Sequence, residues 1–135
     1  MAKHCVIKIT PTAVCFILAE ETNPMIWTTM RTDHFFVDYL MCGKSDEHNV
    51  IYMELNTAML AKSVISCKSN AKFVKMKLTN KQQPCLSIEI ELPSIAGDSR
   101  MCVHDVPISI VSQKDWKVYE APKISKYDVC IVSLI

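Results

Sequence analysis

The stretch FVKMKLTNKQQPCLSIEIEL, residues 73–92, decides the fold. Apolar and polar residues alternate on both sides of a polar centre, the period of two that half-buried strands show. Setting residues whose numbers sum to 164 opposite one another places Val74, Met76 and Leu78 across from Ile90, Ile88 and Leu86 on one face. The other face then sets Lys75 opposite Glu89, with Lys77 diagonal to the same carboxylate. Opposite charges across a strand pair contribute roughly 0.2–1 kcal/mol each, so charge and apolar pattern select the same register. The segment is predicted to be an antiparallel hairpin with its apolar row on the core.

Just upstream the period changes. Over residues 57–68, Leu60, Ala61, Val64 and Cys67 fall on one helical face, and Lys62, Ser66 and Ser69 gather opposite. Asn56 or Thr57 can cap this helix, and the β-branched pair Val64-Ile65 leaves most of its stability to packing. Further upstream, strands are predicted over residues 4–10, 14–19, 25–30 and 50–55, and the aromatic-rich run 35–42 has no settled type. Downstream, residues 100–111 read as another strand, in which Pro107 points to an edge position or a bulge. Residues 112–126 lack alternation and read as an extended connector, and residues 127–135 alternate again. One helix among many strands predicts an α+β fold built on an antiparallel sheet.

Half of the 135 residues are hydrophobic and 21% are charged, which excludes wholesale disorder. With only Gly43 and Gly97, no dinucleotide fingerprint or phosphate-cradling loop can be written. The longest apolar run, residues 13–19, is far short of a membrane span, and the chain reads as soluble, unsecreted and without membrane contact. Seven cysteines, an odd number with no CxxC spacing, read as reduced thiols and argue against a zinc site. Cys102 and His104 share a strand face but have no further ligand nearby in sequence. The His104-Asp105 pair, of a type that metal-dependent hydrolases use, is equally isolated. No nucleophile with a matching base can be assembled, so neither catalysis nor a cofactor is expected.

Charge is distributed unevenly along the chain. The net charge is +1, but residues 33–54 carry −4 and residues 55–88 carry +6, with six lysines and no acid. A helix bearing lysine inside such a run can meet phosphate by nonspecific attraction. Lys75 and Lys77, by contrast, have Glu89 to answer them.

Three blocks carry a resemblance. VIYMELNTAMLAKSVIS (50–66), FVKMKLTNKQQPCLSIEIEL (73–92) and RMCVHDVPISIVSQKDW (100–116) resemble the first half of the Hus-one subunit of the nine-one-one DNA-damage checkpoint clamp. That family is similar in fold to the proliferating cell nuclear antigen, a ring with helices on its DNA-facing inner wall and sheets outside. The resemblance implies that residues 1–111 form an incomplete first clamp domain, 112–126 an interdomain connector, and 127–135 the opening strand of a second domain. It makes the helix over 57–68 an inner-wall helix, with Lys62 and Lys68 facing DNA. A strand and a helix that the family places before the position of His4 are not in this sequence, so apolar area on the sheet's helix-bearing face is expected to be exposed unless a partner shields it. Implied partners are two other checkpoint clamp subunits, a clamp loader and duplex DNA held through its phosphates, in the nucleus. The implied role is a non-catalytic platform for checkpoint signalling and repair. The alternative is a truncated adaptor that binds a clamp partner through a sheet edge without touching DNA.

Overall fold

The computed structural model describes residues 3–20, 23–43, 45–65, 67, 70–94 and 97–121. Three strands open it: β1 (His4–Ile9), β2 (Ala13–Glu20) and β3 (Asn23–Arg31). A one-turn helix α1 (Thr32–Phe35) and an irregular loop lead to β4 (Ile51–Asn56) and helix α2 (Thr57–Ile65). Then come β5 (Phe73–Asn80), β6 (Pro84–Leu92), β7 (Arg100–Ile110) and a 3-10 helix at Gln113–Tyr119. The seven strands form one sheet in the order β3-β2-β1-β4-β7-β6-β5, each neighbouring pair antiparallel. The expected α+β class is the observed one.

Local chemistry explains the turns. Thr10 accepts the amide of Ala13 on its hydroxyl at 3.0 Å while donating its own amide to the Ala13 carbonyl at 2.9 Å, so the chain reverses across Pro11-Thr12. At the other end of the sheet, Pro84 opens β6, a position where a missing ladder donor is tolerated.

The apolar runs of β1, β2 and β4 are buried on both faces, which is why their alternation is weak in the sequence. Cys5, Ile7, Val14, Met53 and Leu55 join Leu86, Ile88, Ile90, Val106 and Ile108 in one core layer, roofed by α2 and by Phe36 and Tyr39. Val6, Ile17 and Tyr52 face the other way, under Trp27, Trp116 and Tyr119. Burying a large apolar side chain contributes about 1.5–3 kcal/mol, so these two layers dominate the stabilisation.

The β5–β6 hairpin has the predicted register residue for residue, from Phe73 opposite Glu91 to Asn80 opposite Pro84. Its burial differs from expectation. Leu86, Ile88 and Ile90 are buried, but Val74, Met76 and Leu78 are 40, 47 and 42% exposed. β5 is one of the sheet's two outer strands, and α2 lies over β4 and β7 rather than over it. The exposed apolar area expected on the helix-bearing face is therefore present, and it lies along β5.

Other expectations are corrected. Pro107 marks neither a bulge nor an outermost strand: β7 lies between β4 and β6, and its register with β6 runs unbroken. Its pairing with β4 begins only at Ile108, so beside Pro107 there is no ladder on that flank to require an N–H. Residues 113–119 are not extended but coil into the 3-10 helix, because Trp116 stacks on Tyr52 at 5.1 Å and donates its indole N–H to the Val111 carbonyl at 3.1 Å. Residues 122–135, including the strand expected at 127–135, lie outside the described residues. The run 35–42 is neither a strand nor a long helix; only its first residue belongs to α1.

Candidate nucleic-acid interface

Asn56 begins α2 as its cap: the side-chain oxygen accepts the Met59 amide at 3.1 Å. Leu60, Val64 and, just past the helix, Cys67 pack on the larger core layer, as the helical pattern requires. Ala61 is exposed instead, and the buried polar position of the helix is Ser63, whose hydroxyl donates to the Met59 carbonyl one turn back at 2.9 Å. A hydroxyl satisfied by its own helix can enter an apolar contact, whereas a sequence pattern counts serine as polar.

Lys62 lies on the exposed side of α2 and is the helix's only charged residue. Its neighbours on that side are Ala58, Met59, Ala61 and Ile65, so the outer surface of α2 is apolar around one ammonium. Lys68 lies outside the described residues.

The other lysines of the basic run are disposed differently. Val74, Met76 and Leu78 share the helix-bearing face with their β6 partners, so Lys75 and Lys77 point to the opposite face. There Lys77 pairs with Glu89, and Lys81 pairs with Asp105 at 2.7 Å. The Lys77 hydrogen bond holds the Glu89 carboxyl below the usual range, and those from Lys81 and Ser87 do the same for Asp105. The same contact with Asp105 raises Lys81. The +6 stretch is thus divided between the two faces, and Lys62 is its described member on α2.

The isolated pairs noted in the sequence do not come together. His104 stands opposite Ile88 and Asp105 opposite Ser87, on opposite faces of the sheet, so they cannot act on one substrate. Cys102 and His104 do share a face, but among the described residues no three His, Cys, Asp or Glu side chains gather as a metal site.

Sequence reasoning missed the aromatic seat on the face away from α2. Tyr52, Trp116 and Tyr119 cluster there, and the Lys8 ammonium sits between the Trp27 and Tyr52 rings, 5.8 and 5.4 Å from their centroids. Only the polar pattern of residues 112–126 was legible; Trp116 and Tyr119, three apart, were the available signal.

Known proteins are similar to this sequence. A family model described as Hus1-like protein matches residues 1–133. The human checkpoint protein HUS1 is 36% identical over 134 residues, covering 97% of this chain and 48% of the human protein. The Drosophila melanogaster checkpoint protein Hus1-like is 27% identical, covering 92% of the chain and 47% of that protein. The Schizosaccharomyces pombe checkpoint protein hus1 is 25% identical, covering 95% and 44%. The chain thus spans about half the length of these curated relatives. A match over nearly every residue, on an antiparallel sheet carrying its helix on one face, places this chain in the Hus1-like family.

Proposed function

We propose that this chain contributes an incomplete first clamp domain of a non-catalytic subunit in a heterotrimeric DNA-damage checkpoint clamp, a nuclear platform that encircles DNA for signalling and repair. The observation that carries this reading is the family match across residues 1–133. In it, residues 1–111 belong to that domain, 112–126 lead out of it and 127–135 open the next. The partners are two other clamp subunits and a clamp loader.

DNA contact in this reading is electrostatic and without base readout, because the candidate surface offers an ammonium and apolar side chains rather than a set of base-edge donors. Lys62, exposed on α2, is the leading contact, and Lys68 the second. A full-chain match to the family favours the clamp role over that of an adaptor that never meets DNA.

Co-expression with the two partner subunits tests assembly: a stoichiometric complex is expected, and failure of this chain to co-elute where a full-length relative does removes the clamp role. Within the assembled complex, Lys62→Glu is expected to weaken retention on DNA at low salt and to flatten its salt dependence. Unchanged retention removes Lys62 from the interface.

A further inference from the structure

The loop after α1 displays large apolar side chains in an unusual way. Val37 and Leu40 are 102 and 99% exposed, and Phe35 beside them is 61% exposed. Their neighbours in the same loop are held. Phe36 and Tyr39 pack on the larger core layer with ring centroids 5.5 Å apart, and the Tyr39 hydroxyl donates to the Thr10 carbonyl at 2.7 Å. The Phe36 amide donates to the Thr32 carbonyl at 3.1 Å. Farther along, the Gly43 amide donates to Asn49 Oδ1 at 2.8 Å, and a Cβ on Gly43 would come within 2.7 Å of the Asn49 backbone. The loop is anchored at Phe36, Tyr39 and Gly43, and Val37 and Leu40 are exposed to solvent between those anchors.

Scattered exposed apolar residues need no explanation, but several on one anchored loop mark an interaction surface. Charge indicates what it accepts. Asp38 is exposed between Val37 and Tyr39, and Asp46 and Glu47 are exposed in the same loop. None of these three carboxylates has an ion-pair partner among the described residues. Asp33 does not count, since Arg31 occupies it at 2.6 Å. Over residues 33–54 the sequence sets five acids against the single Lys44. An acid-flanked apolar surface attracts cationic apolar chains and repels acidic ones.

We propose that the loop bearing Phe35, Val37, Asp38 and Leu40 is a docking surface for a short segment of a partner protein that interleaves apolar side chains with Lys or Arg. The apolar residues of that segment cover Val37 and Leu40, and its cations meet the loop's carboxylates. This goes beyond the clamp reading and does not depend on it, so failure of ring assembly leaves it standing.

Two labelled peptides of alternating Leu and Lys, or of alternating Leu and Glu, serve as probes in fluorescence anisotropy with the full 135-residue chain. The Leu/Lys peptide is expected to bind. Val37→Ser/Leu40→Ser is expected to weaken it about tenfold or more. Asp38→Asn/Asp46→Asn/Glu47→Gln is expected to weaken it at low salt and to match the unmodified chain at high salt. All of these side chains are exposed, so unchanged thermal unfolding accompanies the changes. The proposal is overturned if the Leu/Glu peptide binds as well, if neither variant weakens the Leu/Lys peptide, or if that peptide does not bind. A concentration-dependent dimer that Val37→Ser/Leu40→Ser abolishes, without peptide binding, assigns the surface to a second copy and equally overturns it.

Discussion

Asp105 shows how much one side chain holds on the face away from α2. It accepts Lys81 and the hydroxyl of Ser87, each at 2.7 Å, and Ser87 is only 1% exposed. Removing the carboxylate by Asp105→Ala leaves that buried hydroxyl without its partner, a loss of stability measurable by urea unfolding. Asp105→Asn keeps an acceptor for Ser87 and isolates the charge. The folded carboxyl lies below its ordinary range, so its contribution is complete above roughly pH 5 and is lost as pH falls through the depressed folded value. Unfolding free energy measured between about pH 6 and 3 should therefore fall less steeply in Asp105→Asn than in the unmodified chain. An identical slope would show that the pairing carries no stability. None of this was readable from the His104-Asp105 pair in isolation, because the partners come from the β5–β6 hairpin and its turn, and only strand register brings them together.

At the scale of elements, the two best predictions fared differently for one physical reason. The hairpin register was legible because it is settled within residues 73–92, where apolar pairs and the Lys75–Glu89 opposition agree. The burial of its apolar row was not, because a strand's pattern tells which side chains share a face and nothing about what lies over that face. Helix α2 likewise showed Leu60 and Val64 as core residues, whereas the exchange of Ala61 for Ser63 depends on a hydroxyl bonding back to Met59. The 3-10 helix was illegible as well: its hold on the sheet comes from Trp116 stacking on Tyr52, sixty-four residues earlier. Trp116→Ala should therefore release the segment 113–119 and cost about 2–4 kcal/mol, less than a fully buried tryptophan. The check is loss of amide protection there, with β5 and β6 unaffected. In α2, Asn56→Ala should cost about 1 kcal/mol by unsatisfying the Met59 amide, whereas Lys62→Glu stays within about 0.5 kcal/mol. A larger loss in Lys62→Glu would mean that any DNA defect it shows cannot be separated from folding.

For the whole molecule, the governing asymmetry is between its covered and uncovered areas on the helix-bearing face. Phe36 and Tyr39 roof the sheet from one side and α2 roofs its middle, while β5 carries Val74, Met76 and Leu78 half-exposed on a strand with an unpaired edge. An apolar row beside free backbone donors and acceptors is the combination that promotes strand pairing between chains. The lysines of β5 oppose this only in part, because Lys77 is spent on Glu89 and, with Lys75, faces away from the apolar row. The isolated chain is therefore expected to self-associate with rising concentration, and Met76→Lys, which places a charge in the middle of that row, to shift sedimentation toward the monomer. Val103→Lys makes the control: it is a similarly exposed residue two strands farther in, on the opposite face and away from the β5 edge. If both substitutions restore the monomer equally, added charge alone is responsible. If only Met76→Lys does so, the β5 row is the surface through which the chains associate.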